Sequence, residues 1–150
     1  MSVSRVEVVG PRCYNKYMSN TETIIFDLDD TLADTSSMRD GVRRPIDEQM
    51  LRMSAADALP LAEFAASLDC RVIIMTARTD SDFTRAQVAR YGIKAEFLFR
   101  PVGDNRDDHH VKRDLLTALL ATGANVTKAF DDKIKNVEMF RSFGIDTVHV

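Results

Sequence analysis

The sequence predicts an α/β protein, a mostly parallel five-stranded sheet layered between helices on both faces. Three observations lead there. Five short apolar runs, at 23–27, 71–76, 96–99, 128–131 and 147–150, alternate with helical patterns, and such alternation builds βαβ units with right-handed crossovers. The first run, Thr23-Ile24-Ile25-Phe26, is β-branched and aromatic with no strict polar alternation, which suits a strand buried on both faces. A chain of 150 residues, 45% apolar and 29% charged, fills one core, whereas two cores would each be small. Residues 21–150 therefore read as a single domain.

Each element follows in order. A helix pair is predicted over 46–68, interrupted near Pro60, because proline suits a first helical turn. Asp80 or Ser81 can cap a helix that runs toward Tyr91, and Gly92 ends it. Asp107 or Asp108 can cap the next, in which Val111, Leu115, Leu116, Leu119 and Leu120 form an inward stripe before Gly123. Ile134, Val137 and Phe140 give the last helix its apolar face, and Gly144 closes it. Residues 1–20 carry none of this pattern; they are expected to be a flexible N-terminal extension, with Met18 as an alternative start.

Composition excludes several classes of protein. A net charge of −3 provides no global basic field to draw the chain onto nucleic acid, so any such contact is local. No apolar run is long enough to span a bilayer, and the first ten residues lack the core of a signal peptide, so no membrane association and a cytoplasmic location are expected. Cys13 and Cys70 are too few for a disulfide framework and lack zinc-site spacing, so each is expected as a reduced thiol.

The chemistry concentrates after the first run, in Asp27-Leu28-Asp29-Asp30-Thr31-Leu32. Ligands of open α/β sheets sit beyond the carboxyl ends of the strands, where Asp27 and Asp29 emerge. Cleaving a phosphomonoester requires a nucleophile, a proton for the leaving alkoxide and positive charge around the phosphoryl oxygens. Asp27 suits the nucleophile and Asp29 the acid, and two residues apart along an extended segment they share one face. Neighbouring carboxylates resist joint ionisation, and a divalent cation relieves them; Mg2+ suits such an all-oxygen site. A calcium loop is excluded, since it needs glycine where Leu32 stands and glutamate where Met38 stands.

The pattern D-x-D-x-[TV] behind an apolar strand resembles the haloacid dehalogenase superfamily of phosphohydrolases, over roughly residues 22–150. The resemblance implies a three-layer Rossmann-like fold. It also implies an aspartyl-phosphate on Asp27, acid and then base chemistry at Asp29, and the Asp29 backbone carbonyl as a metal ligand. Val72 to Arg78 is similar to the family's second motif and implies Thr76 as a phosphate ligand, with Ala77 where many relatives carry glycine. Lys112 matches the third motif, a cation for phosphate and nucleophile. Lys128-Ala129-Phe130-Asp131-Asp132 matches the fourth, implying Asp131 at the metal and Asp132 at the metal or its water shell.

The stretch from Phe99 to Lys112, with its R-x-x-G-D-x-R-x-D, and the segment from Phe130 to Ile145 are similar to the phosphatase domain of phage-type polynucleotide kinase-phosphatases. The implied activity is removal of a 3′-phosphate from a nucleic-acid or nucleotide end, in a repair setting. Residues 33–70 leave no room for a large cap, so the site is open to a bulky substrate. Arg39, Arg43, Arg44, Arg78, Arg100 and Arg106 are candidate phosphate contacts, with Arg78, Arg100 and Arg106 taken as the substrate-binding set. His109 and His110 are read as solvated or at the substrate's edge. No G-x-x-x-x-G-K-[ST] occurs, so the kinase half of the bifunctional relatives is missing from this sequence. Either a separate polynucleotide kinase or ligase acts with the chain or it works alone. The alternatives are a 5′(3′)-nucleotidase or small-metabolite phosphatase using the same residues, and a phosphate-end binding module that no longer turns over.

Overall fold

A computed structural model describes residues 21–150. The extension expected over residues 1–20 lies outside the described residues. The strands are β1 (Glu22–Phe26), β2 (Arg71–Thr76), β3 (Glu96–Phe99), β4 (Asn125–Asp131) and β5 (Asp146–His149). The helices are α1 (Ile46–Ser54), α2 (Leu61–Ser67), α3 (Asp82–Arg90), α4 (Asp108–Ala121) and α5 (Ile134–Ser142). All pairings are parallel, in the order β3-β2-β1-β4-β5, so the predicted α/β class holds and β1 lies at the centre.

Alternate residues of the central strands enter different cores, as the period of two requires. Ile24, Phe26, Val72 and Ile74 join Ala62, Ala65 and Val88 on one face. Ile25, Ile73 and Met75 join Leu116, Leu119, Met139 and Phe140 on the other. Helices α2 and α3 thus cover one side and α4 and α5 the other. At the middle of the first core Phe26 stacks on Phe130, with centroids 4.8 Å apart and planes 4° apart, while Phe64 approaches both rings.

Where sequence and structure part, packing is the cause. The break in the helix pair covers the whole of 55–60 rather than Pro60 alone, because this segment pairs with the turn after β1. The Leu59 amide donates to the Leu32 carbonyl at 2.7 Å and the Asp34 amide to the Asp57 carbonyl at 2.9 Å. Strand β4 begins three residues earlier than predicted, its polar start paired with Glu22 and Thr23 across a register shift. Ser81 is the cap of α3, accepting from the Phe83 amide, while Asp80 pairs with Arg85. Ile134, expected inward, is 48% exposed; Asn136, Val137, Met139 and Phe140 take the buried face instead. Cys70 is disulfide-bonded and not the reduced thiol expected; Cys13 lies outside the described residues. Among the described residues no helix is long and apolar enough to cross a membrane.

Phe26→Ala removes the centre of the aromatic stack. It is expected to cost about 3–5 kcal/mol in denaturant unfolding, the range for large-to-small aromatic changes in cores; a loss below about 1 kcal/mol would refute the central role of this stack.

Candidate active site

The chain runs from β1 to β2 and β3 on one side, then crosses back to place β4 against the other edge of β1. That reversal opens a crevice beyond the carboxyl ends of β1 and β4, where open α/β sheets bind ligands. Asp27 and Asp131 emerge into it. The Asp27 amide donates to the Phe130 carbonyl at 2.9 Å, which holds the strand pairing up to the site. The turn beyond is anchored by Leu28, Leu32 and Ala33, all fully buried, with the Leu28 carbonyl accepting from the amides of Thr31, Leu32 and Ala33. Asp30 takes the left-handed conformation at φ 62°, and its carboxylate accepts from Thr35 and Arg39.

Lys112, in the first turns of α4, is 1% exposed. Its ammonium donates to Asp27 Oδ1 at 2.7 Å and to Asp131 Oδ2 at 2.8 Å. Thr31 Oγ1 donates to the other Asp27 oxygen at 3.1 Å. Asp131 also accepts from the Lys133 amide and from Asn136 Nδ2. Burial raises the Asp27 carboxyl well above its ordinary range against the pull of Lys112, and the charge on Asp131 raises it further. Burial alone would lower the Lys112 ammonium, but Asp27 and Asp131 on either side hold it above the usual lysine value.

Three carboxylates, of Asp27, Asp131 and Asp132, bring an oxygen each within 4.8 Å of one another. Lys112 alone donates an ammonium hydrogen bond to this group among the described residues, and only to Asp27 and Asp131. Asp132 Oδ1 is moreover buried without a hydrogen-bond partner among the described residues. An orphaned carboxylate oxygen in an all-oxygen cluster fits a hard divalent cation such as Mg2+. The Asp29 carboxylate lies outside this group: Arg78 grips it with two bonds, of 2.6 and 3.1 Å. Thr76, 1% exposed at the end of β2, accepts from the Arg78 amide.

Of the arginines chosen from sequence, all but Arg43 have partners among the described residues. Arg78 is buried and also donates to Thr84 and Gln87. Arg100 binds the carbonyls of Ala77, Asp104 and Arg106 and the Asp108 carboxylate, so it braces the loop before α4. Arg106 pairs with Asp104 and Asp114. Arg39 pairs with Asp30, and Arg44 with Asp40 and Glu48. His109 and His110 stack on each other at the start of α4, and His109 lines a cavity of about 480 Å³. The sequence reading gave no role to Thr31 or Asn136 and took Asp108 only as a possible helix cap, whereas Asp108 lies in the first turn of α4 and bridges Arg100 and Lys133. Asn136 carried a signal, a polar residue within the apolar face of α5.

The sequence matches the family model of the polynucleotide kinase PNKP phosphatase domain over residues 21–150. The chain belongs to that family. It is a PNKP-type phosphatase domain of the haloacid dehalogenase superfamily, with Asp27, Thr76 and Asp131 at strand ends and Lys112 in the first turns of α4. No curated protein matches the sequence. Among solved structures, a chain of "Structure of the Pnkp1/Rnl/Hen1 RNA repair complex" is similar at 21% identity and TM-score 0.66, over 86% of this chain and 42% of that one. A chain of "Structure of Pnkp1/Rnl/Hen1 complex" is similar at 24% identity and TM-score 0.68, over 88% and 46%. Both likenesses are of fold, and this chain spans less than half the length of either.

Cation binding by the carboxylate group should be visible without turnover. Added Mg2+ is expected to raise the melting temperature of the parent and not of Asp131→Asn, since a ligand held only by the folded state stabilises it. Equal shifts in the two proteins would remove this group as the cation site.

Proposed function

We propose that the chain removes 3′-phosphate from polynucleotide ends by Mg2+-dependent hydrolysis through an aspartyl-phosphate on Asp27. The observation that carries this reading is the buried Asp27 carboxylate, held by Lys112 and Thr31 beside Asp131 and Asp132 at the switch point of the sheet. Membership in the PNKP phosphatase family supports the 3′-phosphate end as substrate.

Two displacements account for the reaction. In the first, an Asp27 oxygen attacks phosphorus, the bond from phosphorus to the 3′ oxygen breaks, and Asp29 gives its proton to the departing alkoxide. In the second, Asp29 takes a proton from water as the water oxygen attacks phosphorus; inorganic phosphate leaves and Asp27 is restored. Lys112 stabilises charge on the phosphoryl oxygens and holds Asp27 in line. Thr76 in this reading donates to the same oxygens, while its own oxygen accepts from the Arg78 amide. Arg78 keeps the Asp29 carboxylate oriented for both proton transfers. Asp27, Asp131, Asp132 and the Asp29 carbonyl would hold Mg2+, which supplies positive charge to the transferring group.

The titles of the two structural neighbours speak of Pnkp1/Rnl/Hen1 complexes, one of them of RNA repair. This supports a repair setting, with a separate polynucleotide kinase or ligase as companion.

A panel of 3′-phosphorylated oligonucleotide, 3′-nucleotide, 5′-nucleotide and sugar phosphates tests the substrate. The 3′-phosphorylated end is expected to have the highest kcat/KM, and preference for a sugar phosphate or a 5′-nucleotide would overturn the reading in favour of a metabolite phosphatase or a nucleotidase. Asp27→Asn should lose about 10³-fold or more in phosphate release. Asp29→Asn should lose turnover on a similar scale and keep substrate binding; unchanged turnover would refute the acid and base role. A parent protein that binds phosphorylated ends and releases no phosphate would be a binding module.

A further inference from the structure

Helix α1 places Ile46, Met50 and Met53 at i, i+4 and i+7, the spacing of one helix face. That face enters neither core cluster. Ile46 is 72% exposed, and in the whole helix only Ser54 is buried. Instead the three side chains wall a cavity of about 320 Å³ whose lining also includes Asp29 and Lys133. Asp29 is the residue that protonates the leaving group, so whatever is esterified to the phosphate departs into the space Asp29 shares. A leaving-group cavity with one apolar wall selects an alcohol that carries an apolar face. Two of the three side chains are methionines, which adapt to ligands of varied shape.

Gln49 lines this cavity and also a second one of about 300 Å³, formed with Met38, Val42, Arg43 and Arg44. There the two arginines differ. Arg44 is held by Asp40 and Glu48, while Arg43 is exposed and has no hydrogen-bond or ion-pair partner among the described residues. The surface therefore presents a proton donor, then an apolar wall, then an uncommitted guanidinium. A polynucleotide end presents a matching series: the terminal phosphate, the nucleoside that bears it, and the next phosphodiester.

Building on the proposed 3′-phosphatase activity, we propose that α1 and the loop before it form the specificity track for polynucleotide ends. The terminal nucleoside packs on Ile46, Met50 and Met53, and the adjacent phosphodiester pairs with Arg43. Specificity for a chain rather than a lone nucleotide then resides at Arg43, and specificity for a nucleoside rather than a bare sugar resides in the α1 face.

Three substrates separate these parts: a 3′-phosphorylated tetranucleotide, a nucleoside 3′-monophosphate and ribose 3-phosphate. In Arg43→Ala the ratio of kcat/KM for tetranucleotide over nucleoside monophosphate should fall about tenfold, the scale of one charge-assisted contact. The salt dependence of the tetranucleotide reaction should weaken with it. In the double variant Ile46→Ser with Met50→Ser, the ratio for nucleoside monophosphate over ribose 3-phosphate should fall by a similar factor. Ratios unchanged in both variants, with a parent that hydrolyses 3′-phosphorylated ends, would overturn the track and leave the proposed activity standing; α1 would then cover some other occupant. A parent that hydrolyses no 3′-phosphorylated nucleotide would overturn the activity and the track together.

Discussion

The ammonium of Lys112 buried between Asp27 and Asp131 is the constraint on which the rest of the site depends. Desolvating a lysine costs several kcal/mol, and attraction to a partner repays it only with close geometry and further hydrogen bonds. Here two carboxylates accept from it at 2.7 and 2.8 Å. The three groups come from the end of β1, the start of α4 and the end of β4, so the triad closes only when the crossover from β3 through α4 has returned the chain to the far side of β1. Asp131 is held in turn by Asn136 and the Lys133 amide, which ties α5 into the same arrangement. With Asp132 added, carboxylates outnumber the ammonium. An excess of buried negative charge is costly in the resting protein and is also what would suit the crevice to a cation.

A second ion pair divides the labour of the two motif aspartates. Asp27 belongs to the buried group, whereas Asp29 faces Arg78, itself held by Thr84 and Gln87 of α3. Gln87 continues to the Met53 carbonyl and Tyr91. The position of Asp29 therefore depends on α3 and, through it, on α1. Residues two apart in sequence are thus oriented by opposite layers of the sandwich, Asp27 by α4 and α5, Asp29 by α3.

The fold was legible because its signals are local. Apolar runs, prolines and glycines act within a few residues, whereas the strand order β3-β2-β1-β4-β5 carries no such local signal. The departures at β4 and at 55–60 arise from pairing between distant segments, which composition does not record. The same division runs through the site. Asp27, Asp29, Thr76, Lys112, Asp131 and Asp132 stand at strand ends or at the helix start beside them, so placing the strands places them. Arg78, Arg100 and Arg106 could be counted in the sequence, but their partners could not. Whether an arginine braces a loop or meets a ligand depends on which carbonyls and carboxylates the loop turns toward it, as the bonds of Arg100 illustrate. Asn136 escaped notice for the converse reason: one polar residue in an apolar face acquires meaning only when a buried carboxylate lies opposite.

Chemistry and selectivity occupy different parts of this chain. In the proposed reaction, attack by Asp27 and proton transfer at Asp29 are indifferent to what lies beyond the 3′ oxygen, and both residues follow the buried strand β1, where substitution is costly. The segment 33–70 borders the crevice through α1, and α1 contributes little to either core. A helix with so little packing to lose can change its exposed face at small cost in stability. If the substrate is the proposed polynucleotide, a net-negative protein gains from this arrangement, because attraction is then confined to an uncommitted cation such as Arg43 beside the crevice while the acidic remainder of the surface repels chain that is out of register.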